Sequence, residues 1–401
     1  MFTNALDYVD INITRAVQAS QLPSLQGYHR RIFFNKNDAT YLIWDFVNAQ
    51  SDSDCSQATY NLHVITQLGW PGVSGCETMD STSAAYKLIC HGLNDIALDV
   101  SILRPANAEK RGLLHIEADP LPVQFTGMTG SVGSALSKPQ VGGVLGGDWN
   151  AAGNVAPKDP YFKARTPTWI RINAHEQQTT KTNENQQCFG FITLLQPRSK
   201  SKDSVAIDRF EELDSGSATI LTVTKEGGTL YLLGRQEKEK EVKENVDELY
   251  GVAGVVGWSG QDPQSIDHVT LIEGCFLSVP NSNLMVSLSQ NVTLSIVLQS
   301  PEQYILTVHS PIVSPTIVTI QLPWKSPPKQ VNVWRGSHVW HVTNTSLDVG
   351  EMNPTIRFEA LPGLEYLIER FCVRSMKAGY NDGKGGWLCD PEHPYNEQGE
   401  L

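Results

Sequence analysis

Two side chains near the start of the chain could form a carboxylate–imidazole pair. Asp45 ends an apolar run, and His63 lies inside the apolar run Leu62-His63-Val64-Ile65. If the two runs are strands that pair with each other, the carboxylate of Asp45 could orient the imidazole of His63. The alternatives are an Asp45 that fixes the next turn by hydrogen bonding and a His63 whose ring nitrogens have ordinary partners in the sheet.

Cationic and aromatic side chains could bind an acidic sugar. Arg30 and Arg31 are adjacent on an aromatic segment, and Trp149 lies in a glycine-rich loop, where its ring could stack on the apolar face of a sugar. The two arginines belong to a set that could form a local basic patch: Arg30, Arg31, Lys36, Arg104, Lys110 and Arg111. Solvation at the surface is the alternative interpretation of the basic set, and a partial plug of the core is the alternative for Trp149.

The overall charge argues against one class of partner. The net charge is −12, whereas a phosphate-binding surface needs clustered Lys and Arg, so we expect no nucleic-acid partner. No apolar stretch approaches the ~20 residues of a membrane span. No metal-binding Cys/His spacing occurs, so no cofactor is predicted, and Asp45 and His63 are only weak candidates for metal ligands. Cys55, Cys76 and Cys90 flank loops, and either one disulfide or free thiols would fit them.

Alternation of apolar and polar residues with period two dominates the chain and predicts an all-β fold. The first four predicted strands are Leu6–Thr14, Tyr28–Phe34, Thr40–Val47 and Thr59–Gln67. The one clear helix candidate is Arg235–Tyr250, where opposite charges recur at positions i and i+4. We therefore expect a large antiparallel β-sandwich, supersandwich-like in extent, followed by a smaller β-sandwich, with one short helix.

The pattern of strands predicts three parts along the chain. Residues 1–280 form the large sandwich. Residues 281–375 form either a small Ig-like sandwich or a second layer that continues the large one. Residues 376–401 are polar and glycine-rich, which predicts a flexible tail.

Two sets of strand motifs follow one another between roughly residues 6 and 235. The first set is an aromatic strand with a basic pair, an apolar strand ending in Asp, and an apolar strand with one His. The second is T-P-T-W-I-R-I-N-A followed by C-F-G-F-I-T-L-L-Q-P. In this order the motifs resemble the C-terminal β-sandwich of heparinase II/III-like polysaccharide lyases. They occupy Arg30–Phe34, Thr40–Val47, Tyr60–Ile65, Thr166–Ala174 and Cys188–Pro197.

The resemblance implies β-elimination at a uronic acid. A base removes the proton α to the carboxylate, a second group neutralises that carboxylate, and an acid protonates the leaving oxygen. In this family a helical toroid supplies most of these groups, whereas the sandwich contributes a His and in some members holds a structural metal. His63 matches that His and is the candidate catalytic residue, while Arg30, Arg31 and Trp149 are the candidate substrate-binding residues.

The helical toroid of the family has no counterpart in this sequence. We therefore expect that activity on an acidic polysaccharide, such as a glycosaminoglycan or alginate, needs a toroid domain or subunit as a partner. The resemblance also implies an extracellular or periplasmic location, although no signal peptide is visible. The alternative function is a non-catalytic carbohydrate-binding or cell-surface β-protein on the same fold.

Overall fold

A computed structural model provides the fold. It describes residues 5–15, 25–49, 59–64, 75–79, 85–92, 95–105, 114–118, 140–141, 147–148, 168–173, 179–182, 185–188, 190–212, 217–234, 247–300, 303–310, 314–323, 331–335, 341–342, 345–348 and 355–370. The chain divides into two compact units, residues 1–225 (unit 1) and residues 226–401 (unit 2).

Unit 1 is built from antiparallel strands. Its strands are β1 (Leu6–Asn12), β2 (Leu25–Asn35), β3 (Thr40–Ala49), β4 (Thr59–Val64), β5 (Cys76–Thr78), β6 (Tyr86–His91), β7 (Ile96–Arg104), β8 (Leu114–Ala118), β9 (Gln140–Val141), β10 (Gly147–Asp148), β11 (Thr168–Asn173), β12 (Thr179–Thr182), β13 (Asn185–Cys188), β14 (Ile192–Ser199), β15 (Ala206–Glu212) and β16 (Ala218–Val223).

A nine-stranded sheet organises unit 1. Seven of its strands follow the order β1-β2-β3-β14-β7-β6-β5, and β13 joins β3 and also pairs with β12. A second sheet has the order β4-β11-β8, and smaller pairs are β9 with β10 and β15 with β16. The β2–β3 hairpin turns between the predicted strands Tyr28–Phe34 and Thr40–Val47. The Asn35 side chain stabilises this turn by accepting a hydrogen bond from the backbone N–H of Asn37 at 3.0 Å.

The core of unit 1 lies between its two larger sheets. Tyr60 on β4 and Ile170 on β11 pack with Val100 on β7 and Phe191, and all four side chains are buried. Buried and partly buried residues alternate along β6, as a face packed against another sheet requires, whereas β7 is buried along most of its length. A disulfide joins Cys76 to Cys90 across β5 and β6 at the edge of this core.

Unit 2 is also antiparallel. Its strands are β17 (Gly227–Leu233), β18 (Glu248–Tyr250), β19 (Ala253–Ser259), β20 (Ile266–Val279), β21 (Leu284–Ser300), β22 (Gln303–His309), β23 (Thr316–Gln321), β24 (Val331–Arg335), β25 (His341–Val342), β26 (Thr345–Asp348), β27 (Thr355–Ala360) and β28 (Glu365–Arg370). Eight of them follow the order β17-β19-β20-β21-β22-β28-β24-β25. The remaining four attach as β18 to β20, β23 to β21, β27 to β23, and β26 to β27.

Two local features fix the geometry of unit 2. A one-turn 3₁₀ helix, Pro280–Ser282, joins the long paired strands β20 and β21. At the start of β28, the buried Tyr366 accepts a hydrogen bond through its hydroxyl from the backbone N–H of Leu361 at 2.7 Å. A tyrosine that bonds to the backbone a few residues upstream is a tyrosine corner, a feature of β-sandwiches.

The predicted all-β, antiparallel class is confirmed. The end of the predicted helix Arg235–Tyr250 is wrong, because Glu248–Tyr250 forms β18 and buries Leu249 against β20. Residues 235–246 lie outside the described residues. The predicted division at residue 280 falls at the connection between two paired strands, and it stays a prediction.

Candidate functional site

Neighbouring positions on β2 and β3 hold a cation against a buried carboxylate. Arg30 and Asp45 lie opposite each other in the register of the two strands. Arg30 donates through Nε to Asp45 Oδ1 at 2.8 Å and through Nη2 to Oδ2 at 2.7 Å. The hydroxyl of Tyr28 donates to the same Oδ2 at 2.7 Å. This two-point contact is the strong, orientation-fixing form of an Arg–carboxylate pair.

An interruption in the neighbouring strands fixes the backbone of Asp45. β13 pairs with β3 up to Val47, β14 begins opposite Trp44, and the backbone N–H of Asp45 donates to the carbonyl of Phe191 at 2.8 Å. A Cβ on Gly190 would lie 1.6 Å from the backbone oxygen of Asp45, so only glycine fits there. Irregular strand pairing of this kind often aims a functional side chain.

Burial and charge shift the ionisation of these groups strongly. Burial, and then the nearby charge of Asp45, raises the pKa of Tyr28 far above its usual value of 10. The hydrogen bonds to Asp45 raise the pKa of Arg30. Burial also raises the pKa of Tyr60. These shifts keep both tyrosines protonated and the guanidinium charged, so neither tyrosine is set up to act as a base near neutral pH.

The guanidinium of Arg30 is partly open to solvent. Its central carbon lies 5.3 Å from the centroid of the Tyr60 ring, which places the cation against an aromatic ring. The Arg30 side chain is 30% exposed, whereas that of Asp45 is fully buried. We call Tyr28, Arg30, Asp45 and Tyr60 the Asp45 cluster, which therefore offers one oriented cation to solvent.

Arg31 lies on the other face of the same strand. Successive residues of a strand point to opposite faces, and Arg31 lies opposite Trp44 on β3 and Asp10 on β1. Its Nε donates to Asp10 at 3.1 Å, and its guanidinium carbon lies 4.6 Å from the Trp44 ring centroid. His29 contacts the same carboxylate through Nδ1 at 3.0 Å. Arg30 and Arg31 therefore cannot bind one sugar as a pair.

The described members of the predicted basic patch are each matched by a carboxylate. Lys36 lies 2.8 Å from Asp7, and Arg104 lies 2.8 Å from Glu212. With the pairs of Arg30 and Arg31, four cations of the set have an acidic partner. Lys110 and Arg111 lie outside the described residues. Because the paired carboxylates neutralise these cations, the set attracts a polyanion only weakly at long range. An acidic ligand would therefore be bound mainly by short-range hydrogen bonds.

The predicted pairing of the strand that carries Asp45 with the strand that carries His63 is wrong. β4, which carries His63, pairs with β11, where Trp169 lies opposite His63. β3 pairs instead with β2, β13 and β14, and the carboxylate of Asp45 is bonded by Arg30 and Tyr28. The side chain of His63 and the whole of Trp149 lie outside the described residues, so their predicted roles stay predictions.

A second polar cluster was not found from the sequence. Asp99 on β7, 2% exposed, accepts through Oδ2 from Arg198 Nε at 2.9 Å and from Ser204, while its Oδ1 has no hydrogen-bond partner among the described residues. Lys87 contacts Ser204 and lies 3.8 Å from the same carboxylate, and burial lowers its pKa. The network attaches the segment after β14 to the sheet. The detectable signal was a charged residue inside an apolar strand.

Among the described residues, no group of three or more His, Cys, Asp or Glu side chains could hold a metal ion. No helix in the described part of the chain is long and apolar enough to cross a membrane. Comparison of the chain with protein-family models and with curated proteins finds no match.

Proposed function

We propose that this chain is the β-sandwich portion of a polysaccharide lyase, and that it binds acidic polysaccharide through Arg30 but needs a helical toroid for catalysis. The observation that carries the proposal is the oriented, partly exposed guanidinium of Arg30, held by the buried Asp45. The order of the strand motifs and the all-β fold are the supporting features.

The geometry of the Asp45 cluster suits recognition of a single acidic group. Asp45 engages Nε and Nη2 of Arg30, which leaves the donors of Nη1 for a ligand carboxylate or sulfate. Since Asp45 holds the guanidinium in place, binding costs little side-chain entropy. Tyr60 lies against the same guanidinium and limits the directions in which it can turn. Asp45 and Tyr28 are then positioning residues for Arg30.

A second candidate function, non-catalytic carbohydrate binding, is favoured by the state of the ionisable groups. Elimination needs a base that can accept a proton near neutral pH. In the Asp45 cluster the pKa of Tyr28 is raised and the carboxylate already accepts three hydrogen bonds. A binding protein without a toroid partner would need no such base. The two functions can be distinguished by adding a toroid domain, which should produce lyase activity only if the chain is part of a lyase.

An extracellular or periplasmic location remains part of the proposal. Its support is the Cys76–Cys90 disulfide, because disulfides form and persist mainly in oxidising compartments. Mass spectrometry of non-reduced, alkylated peptides from the exported protein tests this pairing. Recovery of both cysteines as alkylated thiols would remove the support.

Binding to heparin, chondroitin sulfate and alginate tests the proposed function, with neutral dextran as the reference. Arg30→Gln should weaken binding by about 10- to 100-fold, because a hydrogen-bonded charge contact contributes about 1.5–3 kcal/mol. Arg30→Lys should also weaken it, since lysine cannot bond Asp45 at two points and still orient a planar donor. The native chain alone should release no unsaturated uronate, followed by its absorbance.

Arg31→Gln is the matched control, because it removes the same charge from the adjacent residue on the other face of β2. It should leave polysaccharide binding within about twofold. Equal losses in Arg30→Gln and Arg31→Gln would mean that binding follows net charge and not this site, which would contradict the proposal. Robust turnover by the chain alone would contradict the need for a toroid.

A further inference from the structure

A histidine in the middle of the unit 2 sheet has no hydrogen-bond partner at either ring nitrogen within the part of the chain that the structure describes. His268 on β20 lies opposite Gly257 on β19 and Val297 on β21. It is 2% exposed, and neither Nδ1 nor Nε2 finds a partner among the described residues. Buried polar atoms nearly always have a hydrogen-bond partner, so an imidazole without one at the centre of a sheet is unusual.

The sheet is shaped to hold this ring. A Cβ on Gly257 would lie 2.1 Å from Cε1 and 2.6 Å from Nδ1 of His268, so the ring occupies the space that any other residue at position 257 would fill. The register between β19 and β20 shifts directly after this pair, between Gly257 and Trp258. The histidine is therefore closely packed, at a position where its ring nitrogens bond to none of the described residues.

The groups around His268 do not favour a charged ring. The strand register places the uncharged Thr229 of β17 and Ser295 of β21 on the same face of the sheet. One strand further out on each side, β17 and β22 place two titratable groups on this face, Tyr231 and His309. The nearest carboxylate along β20 is Asp267, which accepts a hydrogen bond from Ser259 at 3.1 Å and is partly exposed. None of the described carboxylates is bonded to the imidazole.

We propose that His268 is an acid-sensitive element of unit 2, neutral while the sheet is closed and protonated when β19, β20 and β21 separate. Its burial lowers its pKa from 6.5 to about 4 in the folded chain. Once the strands separate, water reaches the ring and the ordinary value returns. Acid thereby favours the open form of this part of the sheet.

The direction of the pH dependence follows from proton uptake. Between pH 6.5 and pH 4 the unfolded chain binds more protons at His268 than the folded chain does, so the free energy of unfolding falls as the pH falls. Above pH 6.5 both states are neutral at this position, and below pH 4 both are charged, so the effect levels off at each end. With these pKa values, His268 alone raises the unfolding constant roughly 30-fold between pH 7.5 and pH 5.

Urea unfolding of the full chain at pH 7.5 and pH 5 tests the proposal. His268→Phe keeps a planar ring over Gly257 and removes both nitrogens. The unfolding constant of the native chain should rise about 30-fold more than that of His268→Phe over this pH change. His309→Gln is the control on the same face of the sheet, and it should keep most of the native response, because His309 is only half-buried. The same pH response in His268→Phe and in the native chain would overturn the proposal.

A second measurement decides the case if His268→Phe does not fold. Proton NMR of the native chain with ¹³C-labelled histidine reports the protonation of each ring in the folded state. The His268 signal should show no titration down to about pH 5, and its neighbouring backbone amides on β19 and β20 should exchange faster with solvent as the pH falls, after correction for intrinsic exchange. A His268 resonance that titrates near pH 6.5 in the folded chain would overturn the proposal.

Discussion

The two units treat buried polar side chains differently. In unit 1 the buried charges are paired, since Asp45 is bonded by Arg30 and Tyr28, and Asp99 is bonded by Arg198 and Ser204. In unit 2 the buried His268, 2% exposed, has no hydrogen-bond partner at either ring nitrogen among the described residues. The difference reflects the cost of burial. A carboxylate cannot lose its charge cheaply at neutral pH and must be paired, whereas an imidazole can become neutral and stay alone.

The two units should also respond differently to mutation and to pH. A paired charge is sensitive to loss of its partner, because the remaining charge stays buried without compensation. An unpaired neutral ring is sensitive to pH, because opening of the sheet allows it to be protonated. The free energy of unfolding should therefore fall in unit 1 on mutation of either partner of a buried ion pair, and in unit 2 on acidification.

The largest expected effect is loss of one partner in the Asp45 cluster. Asp45→Leu leaves the guanidinium of Arg30 and the hydroxyl of Tyr28 without their acceptor, and it should lower the free energy of unfolding by about 3–5 kcal/mol. Arg30→Met combined with Asp45→Leu should recover much of this loss, because an apolar pair needs no compensation. Urea unfolding followed by tryptophan fluorescence measures both. Additive losses in the double variant would show that the pair is not coupled.

Intermediate effects are expected at two glycines, one in each unit. Gly190→Ala places a Cβ against the backbone oxygen of Asp45 and should cost at least the upper end of the roughly 1–3 kcal/mol typical of overpacking. Gly257→Ala meets the side chain of His268 instead. Its cost should therefore fall when His268→Ala is added, which gives a coupling that a double-mutant cycle of unfolding free energies measures. No such coupling would mean that the ring does not rest on Gly257.

The smallest expected effect is at the tyrosine corner of unit 2. Tyr366→Phe removes the hydroxyl that accepts from the backbone N–H of Leu361, and it should lower the free energy of unfolding by about 1 kcal/mol. Differential scanning calorimetry of the variant and the native chain measures the change. A loss as large as that of Asp45→Leu would contradict the view that neutral hydrogen bonds in unit 2 matter less than paired charges in unit 1.

Much of the fold could be predicted from local pattern. Alternation of apolar and polar residues correctly placed most of β1, β2 and β3, and the Asn-rich turn between β2 and β3. The same alternation already implied that Arg30 and Arg31 point to opposite faces, although their adjacency suggested a patch. The charge pattern at Glu248–Tyr250 favoured a helix and was overridden, because pairing with β20 buries Leu249.

The partners of each strand could not be predicted. Asp45 and His63 are close in sequence, but β3 pairs with β14, which comes much later in the chain, and β4 pairs with β11. Backbone hydrogen bonds are nearly the same for every possible pair of strands, so pairing is decided by how whole sheets pack.

The amino-acid pattern alone predicts that this protein is antiparallel β and which residues along each strand share a face, because both follow from the period of two along an extended chain. The packing of distant strands determines that Arg30 is held by Asp45 and that Asp99 joins three polar side chains. It also buries His268 where no described residue bonds its ring. These facts depend on contacts between strands distant in sequence, and local propensity carries no information about them.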